Sequence, residues 1–143
     1  MEEIGLLYHP KIAESGDLAR DLEKMLRSRG LDTWVGSAWE DEEVRKHTSR
    51  LDLIVTFGGD GTILRAARMA ALQGTPILSV NLGRFGFLAE AQPDQVAEVM
   101  EAVLSGDYWL EERIMLHAEL RRSEQVVASH EALNDVVIGH STI

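Results

Sequence analysis

The chain has 143 residues, 45% of them hydrophobic and 27% charged, which suits a soluble globular protein with one sizeable core. Its formal net charge of −10 argues against general nucleic-acid binding, which needs clustered lysine and arginine, and the absence of cysteine excludes disulfides and thiolate metal sites. No apolar run is long enough to cross a bilayer, and the acidic start Met1-Glu2-Glu3-Ile4 is not a signal peptide, so a cytoplasmic protein without a membrane partner is expected.

The first element is a short apolar strand, Ile4 to Tyr8, ended by His9-Pro10 because proline pushes its predecessor out of the helical region. Leu18, Leu22, Met25 and Leu26 then recur at helical spacing, and Arg29-Gly30 closes that helix. Asp32 to Val35 reads as a second strand and Asp41 to Arg50 as a weak helix or loop. Leu51 to Phe57 is β-branched and nearly all apolar, as in a parallel strand buried on both faces. A glycine-rich turn, an alanine-rich helix over Ile63 to Leu72, a strand over Pro76 to Val80 and a loop over Asn81 to Glu90 follow. Pro93-Asp94 opens the next helix, with Val96, Val99, Met100, Val103 and Leu104 on its inner stripe and Gly106 at its end. After Tyr108 the rhythm changes to alternation: Leu116, Ala118 and Leu120, a turn over Arg121 to Glu124, then Val126 and Ala128, an antiparallel hairpin. Val136 to Ile138 is expected to begin one more strand.

The alternation of strands and helices predicts an α/β domain over 1–108, an open parallel sheet with helices on both faces. Residues 109–143 read as the beginning of a second, β-rich unit that the chain does not complete.

The turn Gly58-Gly59-Asp60-Gly61-Thr62 carries the chemistry. Glycines there permit unusual backbone angles and let a ligand approach without a side-chain clash. The helix that follows presents N–H groups suited to an anion, at the sheet edge where ligands bind in open α/β folds. Asp60 is the odd residue in such a cradle, because a carboxylate repels phosphate. It fits either a base that takes the proton of an attacking hydroxyl, a ligand to a divalent metal that neutralises phosphates, or a plain helix cap in a tight turn. The run is neither a Walker loop nor G-x-G-x-x-G.

Three stretches, GGDGTILRAAR from Gly58, NLGRFGFLAE from Asn81 and ALNDVVIG from Ala132, together resemble the NAD kinase family. GGDG alone is shared with diacylglycerol, sphingosine and phosphofructo-kinases; the other two stretches, in this order, are more specific. The resemblance covers nearly the whole chain. It implies a Rossmann-like N-terminal domain carrying the GGDGT loop and a β-rich second domain that completes the NAD site. It also implies phosphoryl transfer from ATP, or in some members polyphosphate, to the 2′-hydroxyl of the adenosine ribose of NAD, with a divalent cation, commonly magnesium, and a homodimer or homotetramer. Matched position by position, Asp60 falls on the catalytic base. Asp60 and Gly61 face NAD, and Arg65 lies at an NAD contact. Phe87 lies near the adenine, Asn134 and Asp135 hold the nucleotide, and Gly58, Gly59, Gly61 and Thr62 form the phosphate-binding loop. No residue is assigned as a metal ligand. The family's second domain runs on past the position matched by Ile143, so the chain is expected to be part of a longer product and inactive in isolation.

Without the resemblance, several of these residues have ordinary readings. Asn81 suits a turn, Phe85 and Phe87 suit core packing, and Asn134-Asp135 suits a turn into a strand. His9 follows the first strand and so lies on the ligand edge, whereas His47, His117, His130 and His140 are scattered. Trp34, Trp39 and Trp109 read as packing residues, and Glu40 to Glu43 as a solvated acidic face. The alternatives to an NAD kinase are a diacylglycerol-type lipid kinase, for which no basic amphipathic helix is present, and a non-catalytic nucleotide-binding module.

Overall fold

The structure, a computed structural model, describes residues 1–83, 86, 88–133 and 135–139. They divide into two compact units, Met1–Leu110 and Glu111–Ile143.

In the first unit four parallel strands, β1 (Glu3–Tyr8), β2 (Asp32–Ser37), β3 (Leu53–Gly58) and β4 (Ile77–Asn81), lie side by side in the order β2-β1-β3-β4. The helices between and after them are α1 (Ala13–Arg27), α2 (Asp41–Thr48), α3 (Asp60–Ala70) and α4 (Val96–Ser105). All six residues of β3 are buried, which explains why its sequence carries no polar–apolar alternation. On one face Ile4, Leu6, Val55, Phe57, Leu78 and Val80 pack with Leu22 and Leu26 of α1 and Met100 of α4. On the other, Leu7 and Ile54 pack with Val44 of α2 and Ala66, Met69 and Ala70 of α3. Each fully buried Leu, Ile, Val or Phe side chain contributes about 1.5–3 kcal/mol of transfer free energy, so these two layers hold the sheet between its helices.

The open sheet with helices on both faces is as the sequence implies, with differences at the ends of elements. The segment left as weak helix or loop folds as α2, its acidic first turn (Asp41, Glu42, Glu43) and basic last turn (Arg45, Lys46, His47) complementing the helix dipole. Pro93–Gln95 forms a 3-10 turn before α4, and α4 closes on Gly106, whose φ of 82° is the left-handed geometry glycine adopts at no steric cost. Helix α3 begins three residues earlier than its apolar periodicity indicates, because Asp60, Gly61 and Thr62 already have helical geometry.

The second unit contains β5 (Leu116–Arg122) and β6 (Gln125–Ala132), an antiparallel hairpin with an irregularity at Leu120/Arg121. Its turn is tighter than expected. Ser123 and Glu124 both have positive φ, 46° and 69°, the sense of twist that a two-residue hairpin loop needs, and this draws Arg121 and Arg122 into the strand. Leu116 and Leu120 stay exposed. The strand expected over Val136 to Ile138 is not formed; these residues are exposed and lack a ladder partner among the described residues.

Across the hairpin His117 faces Glu131 and hydrogen-bonds it through Nδ1. That bond, then the charges of Glu131 and Glu119, raise the His117 pKa above its ordinary 6.5. A raised folded value means that the stabilisation is fully present below the unfolded pKa and is lost as pH rises through the folded one. Amide exchange in β5 and β6 is therefore expected to quicken as pH climbs above about 6.5 beyond its intrinsic pH dependence, and His117→Gln is expected to abolish that excess. An unchanged excess in the variant would mean the pair contributes nothing.

Candidate functional site

The order β2-β1-β3-β4 means the chain leaves β1 toward one side and returns to pair β3 on the other. The carboxyl ends of β1 and β3 therefore flank the point where the strand order reverses, where open α/β sheets bind ligands. His9 and the turn Gly58-Gly59 sit there, and the His9 N–H donates at 3.1 Å to the carbonyl of Phe57, the residue before the turn.

The glycines of the turn serve different purposes, and none of Gly58, Gly59 and Gly61 has a positive φ. The unusual backbone angles expected of them are thus not used. Gly58 is there for close packing: a Cβ on it would lie 2.9 Å from Thr62 Cβ, nearer still to Thr62 Oγ1, and 3.3 Å from His9 Cβ. A Cβ at Gly59 or Gly61 would meet nothing within 4 Å among the described residues, so both leave open space over the start of α3. Gly59 is extended and precedes the helix, the Thr62 N–H turns back to its carbonyl at 2.8 Å, and Asp60 is the first helical residue. The amides of a first helical turn lack partners within the helix, and the dipole there favours negative charge.

Thr62 is fully buried beneath Gly58, and neither its Oγ1 nor that of Thr56 in β3 has a hydrogen-bond partner among the described residues. The side chain of Thr62 thus packs under the loop, leaving Gly59 and Gly61 as the open positions.

The segment after β4 folds back onto this turn. The Leu82 N–H donates to the Gly58 carbonyl at 2.9 Å, and the Asn81 side chain accepts from the Gly83 N–H at 3.1 Å, the turn role its sequence position suggests. Ser79 anchors the return, its hydroxyl donating to the Leu88 carbonyl at 2.8 Å and accepting from the Glu90 N–H at 3.0 Å. Between these anchors the Leu88 N–H points to Asp60 Oδ1 at 3.4 Å, and a Cβ at Gly86 would lie 2.7 Å from Asp60 Cγ.

Arg65, one turn into α3, donates to Asp41 Oδ1 at 2.8 Å, and its guanidinium carbon lies 4.7 Å from the centre of the Trp39 ring. Trp39 in turn meets the His9 ring at 4.3 Å. These contacts link the end of β1, the segment after β2 and α3 at the site's rim. Reading Trp39 as a packing residue misses this link, because an arginine 26 positions away in sequence supplies it. Trp34 does pack, stacking on His47 at 4.3 Å, whereas Trp109 is 79% exposed, contrary to a packing role. Asp135 is exposed in the second unit. Phe87 and Asn134 lie outside the described residues.

Residues 4–108 match the family described as the ATP-NAD kinase N-terminal domain. Over 143 residues the chain is 38% identical to an NAD kinase of Dehalococcoides mccartyi, covering 99% of this chain and 50% of that protein. Over 96 residues it is 49% identical to an NAD kinase of Heliobacterium modesticaldum, covering 67% of this chain and 34% of the relative. Among solved structures, yeast NADH kinase complexed with NADH superposes with a TM-score of 0.77 at 21% identity, over 94% of this chain and 47% of that one. That likeness shows the fold. The chain spans about half the length of the curated relatives it matches.

Replacing Gly58 with alanine is expected to destabilise the first unit by about 1–3 kcal/mol, the usual cost of forcing a methyl group into a packed site. The methyl meets the buried Thr62 side chain. Chemical denaturation measures this, and a variant as stable as the parent would show that the turn has room to relax.

Proposed function

The chain belongs to the ATP-NAD kinase N-terminal domain family, and on that premise we propose that it forms the glycine-loop half of an NAD kinase. The proposed reaction moves a phosphoryl group from ATP or polyphosphate to the 2′-hydroxyl of the adenosine ribose of NAD, giving NADP. The observation that carries the reading is the position of Asp60, first residue of α3, beyond the carboxyl end of the central strand and flanked by two glycines that leave open space.

Phosphoryl transfer asks a protein chiefly for positioning and charge stabilisation. In this reading the Asp60 carboxylate orients the ribose 2′-hydroxyl and takes its proton as the oxygen attacks phosphorus. Gly59 and Gly61 admit the substrates, and the first turn of α3 faces their negative charge. Arg65 keeps guanidinium N–H groups beyond the one given to Asp41, because the group carries five, and these serve the nucleotide. Phe87 near the adenine, and Asn134 and Asp135 on the nucleotide, are assigned by the family resemblance. So is the role of the second unit as the beginning of the domain that completes the NAD site.

No group of three carboxylate or imidazole side chains able to hold a metal ion occurs among the described residues. Magnesium commonly binds through one or two carboxylates together with substrate phosphates and water. Asp60 beside a phosphate-holding loop fits that mode. When bound, the ion neutralises phosphate charge. A cytoplasmic homo-oligomer completes the proposal; no helix among the described residues is long and apolar enough to cross a membrane.

The relatives matched along the whole chain are NAD kinases, which favours a nucleotide acceptor over a lipid. The test is to incubate the intact gene product with ATP, magnesium and either NAD or diacylglycerol. NADP is the expected product; a phospholipid would favour the lipid kinase, and neither product a non-catalytic module.

Two substitutions in the intact gene product probe the site. Asp60→Asn is expected to lower kcat by about 100-fold or more, as loss of a general base does, with the fold intact by circular dichroism. Near-normal turnover would remove Asp60 from the mechanism. Asp135→Ala is expected to raise the KM for NAD more than that for ATP, and equal effects on both substrates would count against a nucleotide contact.

A further inference from the structure

We infer that the loop after β4 is a positioning device for Asp60, acting through the missing side chain of Gly86 and the backbone N–H of Leu88. The inference rests on the reading of Asp60 as the base. The Asp60 carboxylate fills the volume that a side chain at position 86 would occupy. A Cβ there would lie 2.7 Å from Asp60 Cγ and 2.9 Å from Oδ2, and closer still to Oδ1. The loop backbone therefore lies directly against the carboxylate on one side, while Oδ1 also faces the Leu88 N–H at 3.4 Å. That distance is long for a hydrogen bond, so packing at Gly86 is the firmer of the two restraints.

The described residues on either side of Gly86 are tied down. Leu88 is buried, its carbonyl accepts from Ser79 Oγ at 2.8 Å, and the Leu82 N–H ties the outgoing end to Gly58. A carboxylate wedged between a helix start and the backbone at Gly86 has few rotamers open to it. A β-carbon at position 86 must move something, and the carboxylate, as the end of a side chain, yields more cheaply than anchored backbone. Gly86→Ala should thus turn the Asp60 carboxylate away from its place and leave the sheet and helices standing. A misplacement of about 1 Å at a reacting group is enough to cost about 100-fold in rate.

Two measurements on the intact gene product test this. The first compares the kinetics of Gly86→Ala and Asp60→Asn. Gly86→Ala is expected to lower kcat about 10- to 100-fold while the KM for ATP stays within about two-fold. If Asp60→Asn is crippled and Gly86→Ala turns over normally, the positioning idea is wrong and the base reading stands. If Asp60→Asn itself turns over normally, the base reading fails and takes this inference with it. The second measurement is a double-mutant cycle in thermal stability, which needs no activity. Asp60→Ala removes Cγ and both oxygens, the three atoms that a Cβ at position 86 would meet. Gly86→Ala should then lower Tm in the parent and leave it nearly unchanged in the Asp60→Ala background. An equal loss in both backgrounds would place the conflict elsewhere and overturn the inference. Should Gly86→Ala fail to fold alone, folding of the double variant supports the contact, and failure of the double variant refutes it.

Discussion

The site hangs on one close approach, that of Gly58 to Thr62. Strand β3 is the inner strand between β1 and β4, buried along its whole length, and it runs into α3 with only Gly59 between them. So abrupt a turn brings the third residue of the helix under the last residue of the strand, and the space left admits a hydrogen atom but no methyl group. Because that packing is tight, the start of α3 is fixed relative to the sheet, and with it Asp60. Leu82, the residue after β4, is tied to the same point through its N–H and the Gly58 carbonyl. Strand end, helix start and loop thus share one anchor, and the carboxylate lies among them.

Much of this is legible in the amino-acid sequence, for physical reasons. Leu53 to Phe57 is apolar but for Thr56, without alternation, because both of its faces are covered, and that pattern marks a central parallel strand. Glycines directly after such a strand mark an edge where backbone or ligand comes close. What the sequence does not carry is the reason for each glycine. Gly58 is needed for packing and Gly59 and Gly61 for open space, yet all three look alike in a run of letters. The neighbours of Asp60 are equally hidden, since Gly86 is 26 positions away and meets it only through tertiary folding. Local turn chemistry misleads too: Ser123 and Glu124 make a two-residue hairpin turn with no glycine or asparagine to announce it.

The rim of the site shows how an acidic chain manages a cationic side chain near the glycine turn. Arg65 is paired with Asp41 and lies over Trp39, an exposed arrangement whose ion pair is worth about 0–1 kcal/mol. So weak a pairing does not lock the arginine; it narrows where the guanidinium sits. The same edge gathers His9 from β1 and the residues after β2, so side chains from well-separated parts of the sequence meet around the loop.

On the proposed reading, the carboxylate at the start of α3 meets the acceptor hydroxyl of NAD. A crystal structure of the intact gene product with NAD bound tests it most directly. The adenosine ribose 2′-oxygen is expected within hydrogen-bond reach of an Asp60 carboxylate oxygen, about 2.6–3.2 Å. NAD bound with that hydroxyl turned to another residue, or bound away from the glycine turn altogether, would contradict it.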